Sequence, residues 1–215
     1  MLKDAPDGSP TGIAPDLARE LARRAGLPLQ FERFDSAGKL ADAAASNVWD
    51  VAFLGAEPLR ANQIAFSAAY LEIPVTFLVP PGSPIRTIDD VDREGVRIAA
   101  AEKSAYDLYL TRSLRHARLV RVAGIPQSFE LFVNEKLEAL AGLKPRLVAD
   151  AEALPGSRLL EGQVSAVQQS VGTPRPREQA AAFLRGFVEE IKASGLVERT
   201  IAKHGVRGVT VAPPA

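Results

Sequence analysis

Segments with helical period alternate along this chain with short, nearly unbroken apolar runs, and that alternation restricts it to α/β architectures. Ile13 to Gly26 is the clearest helix. Pro15 and Asp16 lie in its first turn, Leu17, Leu21 and Ala25 recur at spacing four, and a glycine stands where the last turn ends. Its apolar stripe should face a sheet. Leu27 to Phe34 alternates loosely, as a strand does. A short helix over Ser36 to Ser46 then leads into Val48-Trp49-Asp50-Val51-Ala52-Phe53-Leu54-Gly55, whose near-continuous apolar run predicts a buried strand of a parallel sheet.

The pattern continues with a strand over Ile73 to Pro80, and Pro80-Pro81-Gly82-Ser83-Pro84 breaks it. Beyond the break, Thr87 and Asp90 have the spacing of a capping box, and Gly95 to Ala101 reads as a strand. Ser104 caps a helix through Tyr106, Leu108 and Leu110. A strand over Leu119 to Val122 and a helix over Gln127 to Val133 follow, whereas Glu135 to Leu143 fits either helix or strand. A helix from Asp150 through Leu154 and a strand over Gln163 to Val171 complete this part. The chain closes with a long helix over Arg177 to Ala193, a shorter one over Leu196 to His204 and a loosely held tail from Val209 to Ala215. Ala180, Phe183, Leu184, Phe187 and Ile191 form the apolar face of the long helix. This organisation predicts two α/β units without an internal repeat.

The 215 residues suffice for one sizeable core or two modest ones, so size does not choose between them. Apolar residues make up 47% and no apolar stretch reaches the roughly 20 residues that span a bilayer, which removes membrane-spanning helices. Twenty-six basic and twenty-six acidic residues are interspersed, without the concentrated positive footprint that nucleic acid requires. The arginines from Arg112 to Arg121 read as a solvated helix face and strand edge. Cysteine is absent, which excludes disulfides, thiolate nucleophiles and sulfur-ligated metal. His116 and His204 lack a second ligand at short spacing and read as helix-end caps, so no metal site is expected. No phosphate loop, nucleophile elbow or dinucleotide glycine pattern appears, and neither a cofactor nor catalytic residues are expected. Met1 to Pro6 contains no apolar signal core, so an export signal, if the full gene encodes one, lies outside these residues.

Several segments carry a resemblance. They are Gly12-Ile13-Ala14-Pro15-Asp16-Leu17-Ala18-Arg19-Glu20-Leu21-Ala22, Asp50-Val51-Ala52-Phe53, Arg60-Ala61-Asn62-Gln63-Ile64-Ala65-Phe66-Ser67 with Tyr70, Ser104-Ala105-Tyr106-Asp107, and Ser194-Gly195-Leu196-Val197-Glu198 with Ile201-Ala202. In this order they resemble the family 3 extracellular solute-binding proteins of ABC transporters, the polar amino-acid type. The resemblance implies a periplasmic-binding-protein type II fold, with two lobes, two crossover strands and a ligand cleft that closes by hinge motion. By analogy the first lobe comprises residues 1–75 and 168–215 and the second residues 76–167. It further implies a periplasmic location, a small-molecule ligand with an anionic group, a partner ABC permease and no enzymatic activity. A sensing or degenerate interaction module on the same fold, and a cyclic-acid dehydratase using Glu57 and Glu138, are the alternatives.

In that family an arginine at the position of Arg60 holds the ligand's carboxylate, and guanidinium's rigid fork of donors suits bidentate carboxylate recognition. Gly55, Ala56 and Glu57 occupy the family's strand-end loop. Glu57 either receives an ammonium group or orients Arg60. Ser104 and Ala105 sit at a helix start that can bind an anion through free amides and the hydroxyl. Lys103 stands where the family has glycine and either supplements that anion site or is solvated. Tyr106 either lines the pocket or packs into its lobe.

The alignment puts Leu143 where an ammonium-binding aspartate is common. Leucine accepts no hydrogen bond, so either Glu57 or Glu138 substitutes or the ligand is not a standard α-amino acid. The chain start departs as well, because Met1 to Ala5 is too short for the strand and loop with which the family begins. A first lobe lacking its N-terminal central strand is therefore expected. An abbreviated gene start, a trimmed chain or a strand donated by a second subunit in a homodimer would account for it.

Overall fold

The computed structural model describes residues 3–215. Two compact units emerge: residues up to 34, 40–72 and 168–215 make the first, and 35–39 with 73–167 the second. Two long strands, defined below, begin in one unit and end in the other.

The first unit opens with a two-residue hairpin, β1 (Lys3–Asp4) against β2 (Pro10–Thr11), whose turn is closed by the Ala5 amide on the Ser9 carbonyl. Helix α1 (Ile13–Ala25) ends as its sequence predicts, with Gly26 in the left-handed region at φ 66°, and buries Ile13, Leu17, Ala18 and Leu21. The short helix α2 (Ala37–Asp42), whose first three residues are grouped with the second unit, and a 3₁₀ turn over Ala43–Ser46 precede β3 (Ala52–Gly55). A second 3₁₀ turn, Arg60–Asn62, leads into the long strand β4 (Ile64–Val79). Trp49 seals a small core with Ala44, Ala52, Leu54 and Ile64, and its indole donates to the Leu40 carbonyl.

Residues 27–34 form no strand. Leu27 and Leu29 are exposed, and side chains hold the segment instead of a ladder: Arg19 stacks on Phe31 at 5.4 Å, and Arg33 reaches Asp4 and the Gly8 carbonyl. Apolar alternation makes a strand only where a neighbouring edge supplies ladder partners. Among the described residues, the strands before residue 12 pair only with each other, so the first sheet lacks a central strand from that end of the chain.

The second unit takes the latter part of β4 and adds β5 (Arg97–Ala101), α3 (Ala105–Ser113), β6 (Arg118–Val122), α4 (Ile125–Asn134), β7 (Ala139–Leu143), α5 (Lys144–Ala153), β8 (Arg158–Leu159) and the start of β9 (Ser165–Pro174). β5 lies between β6 and β7, parallel to both, and β7 pairs antiparallel with β4. The ambiguous stretch before Leu143 is thus resolved as a strand. Around it Leu78, Ala99, Phe132, Leu137, Leu140 and Leu147 form a core whose large side chains each contribute about 1.5–3 kcal/mol.

A carboxylate braces this unit from its surface. Asp92 accepts from the amides of Arg115, His116 and Ala117 where the chain enters β6. Partial burial raises its pKa, but the three amide bonds together lower it more, and the net shift is downward. A carboxylate with a depressed folded-state pKa stabilises above its unfolded value near about 3.9 and loses that contribution as pH falls through the folded value. Asp92→Asn should therefore unfold at lower urea than wild type near about pH 6, and the difference should shrink toward about pH 3. Urea titrations at both pH values check this.

Returning to the first unit, β9 pairs with β3 antiparallel, Ala52 opposite Gly172 and Gly55 opposite Gln169. The parallel pairing expected for Val48 to Gly55 is therefore corrected: an apolar run reports burial on both faces and not strand direction. Helices α6 (Glu178–Ala193) and α7 (Leu196–Lys203) follow, then β10 (Thr210–Val211). α6 buries Ala181, Leu184, Phe187, Val188 and Ile191 and leaves Phe183 exposed, so the buried stripe is rotated from the expected one, taking in Ala181 and Val188 in place of Ala180 and Phe183. The tail is held: β10 pairs with Leu71 and Glu72 of β4, Ala212 donates to the Tyr70 carbonyl, and Lys192 donates to the Pro213 carbonyl.

Candidate functional site

The sequence-predicted residues fall into two groups, one in each unit. In the first, β3 ends at Gly55, and the Ala56 amide donates to the Gln168 carbonyl on β9, which fixes the loop's departure. The loop turns through Glu57, Pro58 and Leu59 into the 3₁₀ turn that begins with Arg60, and the Ala61 amide closes on the Glu57 carbonyl. Arg60 is only 6% exposed, and one guanidinium nitrogen donates to the Gly55 carbonyl at 2.7 Å. Burial pushes its pKa down, and the charges of Glu57 and Asp42 oppose that shift. A buried guanidinium stays charged in any case, so this strand end holds a desolvated cation with two carboxylates in its field. Asp42 stands eighteen residues away in sequence, beyond any local signal.

The second group occupies the C-terminal ends of the parallel strands β5 and β7, where open α/β sheets place their ligands. After β5 the chain turns through Lys103, whose φ of 56° puts a side-chain-bearing residue in the left-handed region. Ser104 caps α3 by accepting from the Asp107 amide at 3.1 Å, and Ala105 opens the helix. Asp107, nearly buried, accepts from the Lys103 amide and from Arg121 on β6. Asp107 is the residue that sequence reasoning missed. The Ser-x-x-Asp spacing from Ser104 is a capping-box signal that could have revealed it.

Tyr106 is buried, and burial pushes its hydroxyl up to about 12, with a lowering hydrogen bond to Ser104. The hydrogen-bond partners of that hydroxyl, Ser104 and the Ala101 backbone, lie in the same unit. Leu143 is the last residue of β7, paired with Val75 of β4, and contributes no polar atom at this end. Glu138 lies at the opposite, N-terminal end of the same parallel strands, where both its oxygens are taken by the Arg97 side chain and one also accepts the Arg97 amide. It is a brace between β5 and β7. Arg121, read from sequence as solvated, is half of the Asp107 ion pair. His204 caps the end of α7 and meets Asp16 at 2.8 Å, while His116 lies in the loop clamped by Asp92.

Lys103 yields a direct test of the turn. A left-handed non-glycine residue costs about 1–2 kcal/mol, and glycine's extra unfolded-state freedom offsets about 0.4–1 of it. Lys103→Gly should leave stability unchanged or raise it by up to about 1 kcal/mol in urea unfolding. A loss of ligand affinity at preserved stability would make the ammonium group a ligand contact.

Two α/β units joined by strands that pass from one to the other, with polar groups gathered at strand ends, define the type II periplasmic-binding-protein class. A solute receptor for L-cysteine from Neisseria gonorrhoeae superposes with a TM-score of 0.82 at 19% identity, covering 96% of this chain and 86% of the receptor. A lysine complex of a putative ABC-transporter binding component from Wolinella succinogenes gives 0.79 at 18% identity, covering 94% and 89%. The arginine-binding protein of T. maritima, in its P235GK form, gives 0.78 at 20% identity, covering 94% and 88%. Residues 2–206 match the family description, and the chain belongs to the bacterial extracellular solute-binding proteins, family 3. No curated protein sequence matches it. Among the described residues, no helix is long and apolar enough to cross a membrane.

Proposed function

We propose that this chain is a non-enzymatic periplasmic binding protein for a small carboxylate-bearing solute, an amino acid or another organic acid, which it delivers to an ABC permease. The observation that carries this reading is Arg60, a buried guanidinium held by the Gly55 carbonyl at a strand end. A buried guanidinium presents a rigid fork of donors, and a ligand carboxylate matches that fork in charge and in geometry. The Ser104 turn adds helix-start amides as a second anion-favouring element, as the resemblance implies. Within the second unit, the residues considered as ammonium acceptors are apolar or otherwise engaged. Leu143 is apolar, Glu138 is bound to Arg97, and Asp107 and Asp150 pair with Arg121 and Arg146. Glu57, whose charge acts on Arg60 at the same strand end, is the candidate ammonium acceptor, and acids without an ammonium group are equally admissible ligands.

Thermal-shift screening across amino acids, their deaminated acids and inorganic anions tests the reading, because a ligand that binds only the native state raises apparent stability. Stabilisation by carboxylates is the expected outcome. Stabilisation only by uncharged solutes would overturn it. For assembly, we propose that a second copy completes the first sheet, since 27–34 forms no strand and exposes Leu27 and Leu29. Sedimentation at micromolar concentration should show a dimer, and a monomer would reject it.

A further inference from the structure

The first unit carries a charged groove on its outer helices that the binding reading does not use. Asp16 in the first turn of α1 bonds both Lys203 and His204 at the end of α7, so the start of α1 lies against the end of α7. Each turns one ridge at i, i+3, i+4 and i+7 toward the other: Asp16, Arg19, Glu20 and Arg23 from α1, and Leu196, Arg199, Thr200 and Lys203 from α7. Between them lies a groove of about 410 Å³.

Its charge is unbalanced in a chain that is neutral overall, with four cations against two carboxylates. The carboxylates are also turned inward. Asp16 is satisfied by Arg19, Lys203 and His204, and Glu20 by Arg23 and Arg24. Their side chains are 18% and 22% exposed, against 70% for Arg23 and 66% for Lys203. What faces solvent is therefore a positive rim over a half-buried Leu196. The cations are spread along two helical turns, roughly 10 Å, and do not converge on one point as a site for a single small anion would.

We propose that the α1–α7 groove docks an acidic amphipathic helix of a partner protein. The helix lies along the groove as a third member of the bundle, its glutamates on Arg19, Arg23, Arg199 and Lys203 and an apolar residue on Leu196. Ridges at helical spacing on both walls accept a helix, and the positive rim selects an acidic one and speeds its encounter.

A fluorescein-labelled synthetic peptide of about 16 residues, with Glu at i, i+3, i+4 and i+7 and Leu between them, is the probe, read by anisotropy. Saturable binding is expected, weakening between about 50 and 150 mM salt, and about tenfold weaker for Arg23→Glu/Arg199→Glu. Arg185→Glu/Arg207→Glu, an equal charge change at exposed sites elsewhere on this unit, should bind as wild type. On the wild-type protein the peptide should shift amide resonances of 16–23 and 196–203, a readout that stands even if the double variant folds poorly. No saturable binding, equal binding by the groove variant, or shifts confined to other residues would overturn the proposal. So would tighter, Arg23-dependent binding of inorganic polyphosphate or of phosphatidylglycerol vesicles, which would make the groove a general polyanion surface.

Discussion

Replacing Arg60 by alanine should abolish detectable binding of a carboxylate ligand while leaving the protein folded. The side chain is buried at the end of β3, and removing one member of a desolvated, hydrogen-bonded charge pair costs about 2–5 kcal/mol, roughly 30-fold to several thousandfold in affinity. The effect on stability is smaller because two consequences oppose each other. The Gly55 carbonyl loses its donor, worth about 1–3 kcal/mol, but a charge whose burial is unfavourable is removed with it. Arg60→Lys should fall between, since ammonium keeps the charge without the planar fork. Calorimetry and urea unfolding on the same preparations separate the two effects. Binding that survives Arg60→Ala, or unfolding without ligand involvement, would make Arg60 a structural residue.

Asp107→Ala should be the most damaging change in the second unit that leaves its apolar core intact. The carboxylate accepts from the Lys103 amide and pairs with Arg121, and it is nearly inaccessible. Breaking a buried pair costs about 3–5 kcal/mol, but Arg121 is partly solvated, which reduces the expectation to about 2–4 kcal/mol. Asn at this position keeps an acceptor for Lys103 and should cost less. Because Asp107 fixes the turn that presents Lys103 and Ser104, hydrogen exchange at those two amides should accelerate in Asp107→Ala, and ligand affinity should fall. Stability within about 0.5 kcal/mol of wild type would show that the turn holds itself.

Features whose chemistry is local were legible in the sequence. Gly26 ends α1, Ser104 caps α3, and Thr87 donates both its amide and its hydroxyl to Asp90. Each depends on residues within four positions of one another. Features that depend on a distant partner were not. The run through Ala52 to Gly55 shows burial but not that its partner β9 runs antiparallel, and the alternation of 27–34 cannot reveal a missing ladder. The tail reads as loose because its anchor, Leu71 and Glu72, lies about 140 residues earlier. The same division holds for the candidate site. Ser104 and Arg60 stand out by residue type and resemblance, whereas the commitment of Glu138 to Arg97 and the field of Asp42 at Arg60 emerge only from the fold.

The central claim is that a ligand carboxylate is what Arg60 recognises. Calorimetric titration of the wild-type protein with a stabilising acid and with its matching amide isolates that one group, because size and shape change little while the charge is lost. The acid should bind at least about 30-fold more tightly than the amide, a difference that Arg60→Ala should erase. Equal affinity for acid and amide would contradict the account.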